Sequence, residues 1–128
     1  MLINEITGTI LEESITIHKD IGPGLLESVY EKLLFYRLTK RGLLVKQQVA
    51  IPVVYEGVHI DVGFRADLIV EDAVVVELKS VEALAPVHSK VLLTYLRLTN
   101  TTVGLLINFN ETVLRAGVKR VVNNYIDQ

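Results

Sequence analysis

The chain has 128 residues, half of them hydrophobic, and a net charge of −2, enough for one domain with a proper core, which is expected to span residues 1–128. The absence of cysteine excludes disulfides, zinc–thiolate sites and thiol nucleophiles, and no run nears the roughly 18 consecutive apolar residues of a membrane span. An isoelectric point near 5.9 also counts against a nucleic-acid binder, whose surface is ordinarily basic.

Met1-Leu2-Ile3-Asn4-Glu5 lacks the basic segment and apolar run of a signal peptide, so a cytoplasmic location is expected. Ile3, Ile6, Ile10, Ile17 and Ile21 form one apolar stripe and predict a helix from Ile3 to Lys19. His18, at its loop-proximal end, reads as structural. Gly22-Pro23-Gly24 breaks the chain. A second helix is expected from Leu25 to Arg41, with Leu26, Val29, Tyr30, Leu33, Leu34 and Leu38 as its apolar positions. Arg37, Lys40 and Arg41 suit its C-terminal dipole, and Gly42 is placed to cap it.

Val45 to Tyr55 reads as a strand, with Pro52 marking an edge or bulge. From Val58 to Val70 the even positions are apolar throughout, the period-2 pattern of a second strand. Ala73 to Val81 reads as a third, and turns at Glu56-Gly57 and Glu71-Asp72 make the three an antiparallel meander. Pro86 is placed to open a helix running to Leu98, with Val87, Val91, Tyr95 and Leu98 along one face. Val103 to Ile107 reads as a buried strand, parallel to the third, and Gly117 to Tyr125 as an edge strand or short helix.

The third strand carries the chemistry. Glu77 and Lys79 are two residues apart, so both leave one face of an otherwise apolar strand. Charges there are costly without a partner or a task. A hairpin around Glu71-Asp72 brings Asp67 near Glu77, and two carboxylates beside a lysine suit a divalent metal and phosphodiester hydrolysis. The plainer alternative is a solvated edge, with Asp67 ending a strand before a turn.

Gly24-Leu25-Leu26-Glu27-Ser28-Val29-Tyr30 resembles the pattern that names the GxxExxY proteins, members of the PD-(D/E)XK nuclease superfamily. The likeness continues through Arg65-Ala66-Asp67-Leu68, Val76-Glu77-Leu78-Lys79-Ser80, Tyr95-Leu96 and Gly104 to Phe109, in the family's order. It implies an α/β, restriction-endonuclease-like core of helices, a three-stranded antiparallel meander, a helix and a parallel strand. It also implies a metal-dependent nuclease, with DNA the expected partner ahead of RNA, no membrane role, and homodimerisation left open.

By this resemblance Glu27, Asp67, Glu77 and Lys79 are the catalytic group. Glu27, Asp67, Glu77 and the carbonyl of Leu78 would hold Mg²⁺ or Mn²⁺, and Lys79 would orient the nucleophile. Tyr30, Arg65, His88 and Tyr95 are the candidates for substrate contact, packing being the plainer reading of the two tyrosines. Many relatives carry a glutamine four residues before the tyrosine of the third helix, where this chain has Val91. That departure favours weak activity, or a nuclease fold kept as a binding or interaction module.

Overall fold

A computed structural model describes residues 1–60 and 63–125. In chain order it contains α1 (Ile3–Ile21), α2 (Glu27–Lys40), β1 (Val45–Ala50), β2 (Val53–Tyr55), β3 (Val58–Ile60), β4 (Arg65–Val70), β5 (Val74–Lys79), α3 (Pro86–Thr99), β6 (Val103–Asn108), a 3₁₀ turn (Leu114–Gly117) and β7 (Val118–Val122). Five strands make one sheet in the order β1-β4-β5-β6-β7, and β2 and β3 form a separate hairpin. β5 and β6 are parallel and the other neighbours antiparallel, so the expected meander and strand–helix–strand run are both present. The result is a restriction-endonuclease-like α/β fold.

Alternation along the strands supplies a layer on each side of the sheet. Leu68, Val70, Val74, Val76, Leu78, Leu105 and Ile107 pack with Ile6, Ile10 and Ile17 of α1 and Tyr30, Leu34 and Leu38 of α2. Ile69, Val75 and Leu106 pack on the other side with Leu92 and Leu96 of α3. Burying side chains of this size contributes about 1.5–3 kcal/mol each. Gly104 permits the close approach of α3, because a Cβ there would stand 2.9 Å from Leu92 Cδ1. The cations at the end of α2 bind a charge on α1: Arg37 and Arg41 contact the buried Glu13 at 2.7 and 3.1 Å.

Several expectations need correction. The predicted strand Val45–Tyr55 is two strands. Ile51 still donates to Phe64 O at 2.8 Å, but Pro52 has no N–H to give and the ladder stops. The predicted strand Val58–Val70 is likewise β3 and β4; Asp61 and Val62 lie outside the described residues. Its even positions share no single buried face, since Val58, Ile60 and Phe64 are exposed while Ala66, Leu68 and Val70 are buried. Ile21, Leu26 and Val29 are also exposed. On α3, Val87 and Val91 face solvent, and the buried residues are Leu92 and Leu96. The predicted stripe was rotated by about one residue. The tail forms an edge strand, β7, paired with β6.

Candidate active site

The sheet opens around Asp67. Pairing between β4 and β5 ends at Leu68 and Val76, and one step further the register sets Asp67 against Glu77. There the side chains take the backbone donors. Asp67 N–H donates to Glu77 Oε1 at 3.1 Å, and Leu78 N–H to Asp67 Oδ2 at 2.8 Å. On the other side, β1 pairs through Gln47–Leu68 and Val49–Ala66 but not between. Gln48, at φ 49°, donates its amide to Asp67 Oδ1 at 3.3 Å and to Glu31 Oε1 at 2.5 Å. Asp67 is thus held by two strands at once. Glu77 is not on a solvated edge: β5 is the central strand, and Glu77 is 8 % exposed.

Glu27 arrives from another direction. Gly22 and Gly24 have φ of 82° and 101°, left-handed values that suit glycine. The turn they make is pinned by Tyr30, whose hydroxyl donates to Gly22 O at 2.7 Å and accepts Leu25 N–H at 3.1 Å. Its ring is fully buried and stacked on Phe109 at 4.5 Å. Ser80 completes the join, donating its hydroxyl to Leu25 O at 2.6 Å and its N–H to Glu27 Oε1 at 3.4 Å. The Gly24…Glu27…Tyr30 spacing is therefore a mechanical unit that fixes the start of α2 to the end of β5. Of the two readings of Tyr30, packing holds and substrate contact does not: it secures this loop, and burial leaves it no open face.

Lys79 ends β5 on the same strand face as Glu77. Its exit is fixed by Phe109 N–H donating to Lys79 O at 2.9 Å. The buried Asn108 clamps the next turn through both the N–H and the C=O of Val81. His88, another expected substrate contact, uses Nδ1 to accept Ala85 N–H at 2.9 Å and caps α3. Arg65 is exposed and donates to Gln48 O at 3.0 Å. The ring of His18 is committed to Glu111 O at 2.7 Å. Sequence reasoning missed Gln48, Glu31 and Asn108. Glu31 left a trace, standing four residues after Glu27 on one helix face, and Asn108 falls within the quoted Gly104 to Phe109 stretch without being singled out; Gln48 left none.

Electrostatics mark the carboxylates as a strained pair. Burial, and then the charge of Asp67, push Glu77 up to about 8. Burial raises Asp67 too, with Glu27 adding to the rise and Leu78 N–H, Gln48 and Lys79 opposing it. Glu31 is raised by burial and by Asp67, against the Gln48 bond. Tyr95 is raised by burial, then by Glu77 and Asp67, so its hydroxyl end lies within their field.

A family model described as the PD-(D/E)XK nuclease superfamily matches residues 4–121. The chain belongs to the PD-(D/E)XK nuclease superfamily. No curated protein and no solved structure matches it. Nucleases of this superfamily generally use divalent metals and act on nucleic acid. Among the described residues no helix is long and apolar enough to cross a membrane.

The residues present suit a hard divalent cation in a lean form. Among the described residues no three His, Asp or Glu side chains stand close enough together to share an ion, so the expected convergence of Glu27 with Asp67 and Glu77 is not met. Glu27 acts on Asp67 through its charge, from the Ser80 side. Two adjacent carboxylates remain, Glu77 buried and Asp67 half-buried, and a small hard cation is commonly held by one or two carboxylates with water and substrate phosphate filling the rest.

Proposed function

We propose that the chain is a divalent-metal-dependent nuclease of the GxxExxY type, hydrolysing phosphodiester bonds at Asp67, Glu77 and Lys79. The observation that carries this reading is the opened ladder, where two carboxylates face each other beside a lysine at the end of the central strand. Asp67 and Glu77 would hold Mg²⁺ or Mn²⁺. Leu78 supports a main-chain ligand, because the N–H and C=O of one strand residue point the same way and its N–H points at Asp67. Bound there, the metal would activate water and polarise the phosphate.

The chain's own groups do the rest. Lys79 neutralises charge gathering on the phosphoryl oxygens. Gln48 and the Leu78 N–H hold the Asp67 carboxylate in one orientation. Glu27, fixed by the Tyr30-pinned turn, lies on the approach past Ser80 and can order water there. Arg65, exposed two residues before Asp67, would meet substrate phosphate. Val91 is 41 % exposed, one helical turn before Tyr95 and on its side, so it leaves an apolar surface where an amide would order water or substrate. This predicts a weak enzyme.

The test is a cleavage assay on single-stranded, duplex and branched DNA and on RNA, with Mn²⁺ and with EDTA. Metal-dependent cleavage that disappears in Asp67→Asn and Lys79→Ala supports the reading. A correctly folded wild type that cleaves nothing, even after Val91→Gln, favours a nucleic-acid-binding or interaction module on the same fold.

A further inference from the structure

A groove of about 330 Å³ runs between the end of β1, the β2–β3 hairpin and the start of β4, lined by Ile51, Pro52, His59, Ile60, Phe64 and Arg65 among others. That volume falls at the lower end of the range for small-ligand sites. Phe64 is 47 % exposed, and its ring centroid lies 6.3 Å from that of Tyr95. Tyr95 in turn lies within the field of Glu77 and Asp67. Phe64 precedes Asp67 by three residues, about 10 Å of extended chain. A largely apolar groove with one aromatic side therefore opens beside the candidate active site, with Arg65 at the boundary.

We infer that this groove receives an unpaired base adjoining the scissile phosphate, stacked on Phe64, so that the substrate is single-stranded or locally unpaired nucleic acid. The inference rests on the nuclease reading for its substrate class. Two further features favour an unpaired strand. Duplex binding draws chiefly on neutralising phosphates, and this chain, at −2 overall, brings few cations to the site. Stacking is insensitive to that deficit, because every base offers a π-face to an aromatic ring. A base held in the groove also places its phosphate on the Arg65 side, toward Asp67 and Lys79.

Equilibrium binding of a short fluorescent oligothymidylate, and of a duplex of equal length, tests this in EDTA, where cleavage does not interfere. The expected result is that the single strand binds more tightly than the duplex. Phe64→Ala should weaken the single strand about tenfold or more while leaving the duplex little changed, and Phe64→Trp should restore it. Tyr36→Ala, which removes an exposed ring on α2, should change neither. Single-strand affinity unaltered by Phe64→Ala, or equal losses on both probes, overturns the inference. Loss of self-association in Phe64→Ala by sedimentation, with single-strand binding intact, also overturns it and assigns the groove to a second copy of the chain. Cleavage is read separately: wild type and Val91→Gln that both bind through Phe64 but cut nothing refute the nuclease reading and leave an unpaired base as the groove's occupant.

Discussion

Replacing Glu77 with glutamine removes the charge that the fold holds at greatest cost. Glu77 is 8 % exposed, and burial followed by the Asp67 charge moves its carboxyl from 4.5 to about 8. A carboxyl with a raised folded-state pKa binds its proton more tightly in the folded state than in the unfolded one. The folded chain is therefore favoured below pH 4.5 and loses stability as pH climbs from 4.5 to about 8. At about 1.4 kcal/mol per pH unit, ionising this one group costs the metal-free fold on the order of 3–5 kcal/mol. Asp67, raised in the same direction, adds to the slope. Glutamine keeps an oxygen to accept Asp67 N–H and turns an amide toward the Asp67 carboxylate, so packing is preserved. Urea unfolding in EDTA across pH 5 to 9 should show Glu77→Gln about 2–4 kcal/mol more stable than wild type at pH 8, with the difference shrinking toward pH 5. Parallel stability profiles for the two proteins would refute the claim that Glu77 is a strained buried acid.

Three other expectations follow from the geometry. Val91→Gln, at an exposed position, should change stability by no more than about 0.5 kcal/mol and raise the initial rate of Mn²⁺-dependent cleavage, and Lys79→Ala in that background should remove the gain. Tyr30→Phe deletes a buried hydroxyl with two partners and should cost about 1–3 kcal/mol in urea unfolding; because Glu27 rides on the same turn, cleavage should fall more than metal affinity does. Gly24→Ala, forced into φ 101°, should lower the melting temperature in the same way, whereas an unchanged melt would mean that the turn is not strained.

Much of this architecture was legible in the residues, because buried strands and amphipathic helices write their periods plainly. The turns at Glu56-Gly57 and Glu71-Asp72, the Pro86 helix start and the Asp67–Glu77 juxtaposition all follow from local pattern. What failed was tertiary. From Val58 to Val70 every even position is apolar, and Pro52 signals an edge or bulge, yet neither says that Val58 and Ile60 leave the main sheet for a hairpin facing solvent. The α3 stripe was misplaced because Leu92 and Leu96 compete with Val91 and Tyr95 for the core, and the space beside Gly104 decides it. At the site, Glu77 and Lys79 advertised themselves as charges in an apolar strand. Gln48 did not, since its role depends on a left-handed backbone and a gap in the β1–β4 ladder. Tyr30 was readable as part of a motif, but only its two bonds to the Gly22–Leu25 turn reveal that it holds Glu27 in place.

Calorimetric titration of Mn²⁺ into wild type and Asp67→Asn at pH 8 tests whether Asp67 and Glu77 hold the ion. Asparagine still accepts Leu78 N–H, so the fold should persist by circular dichroism. One ion per wild-type chain is expected, with a loss of binding in Asp67→Asn and about 2.7 kcal/mol of added wild-type stability at 100 times Kd. Equal Mn²⁺ binding by the two proteins would contradict it and place the ion away from Asp67 and Glu77.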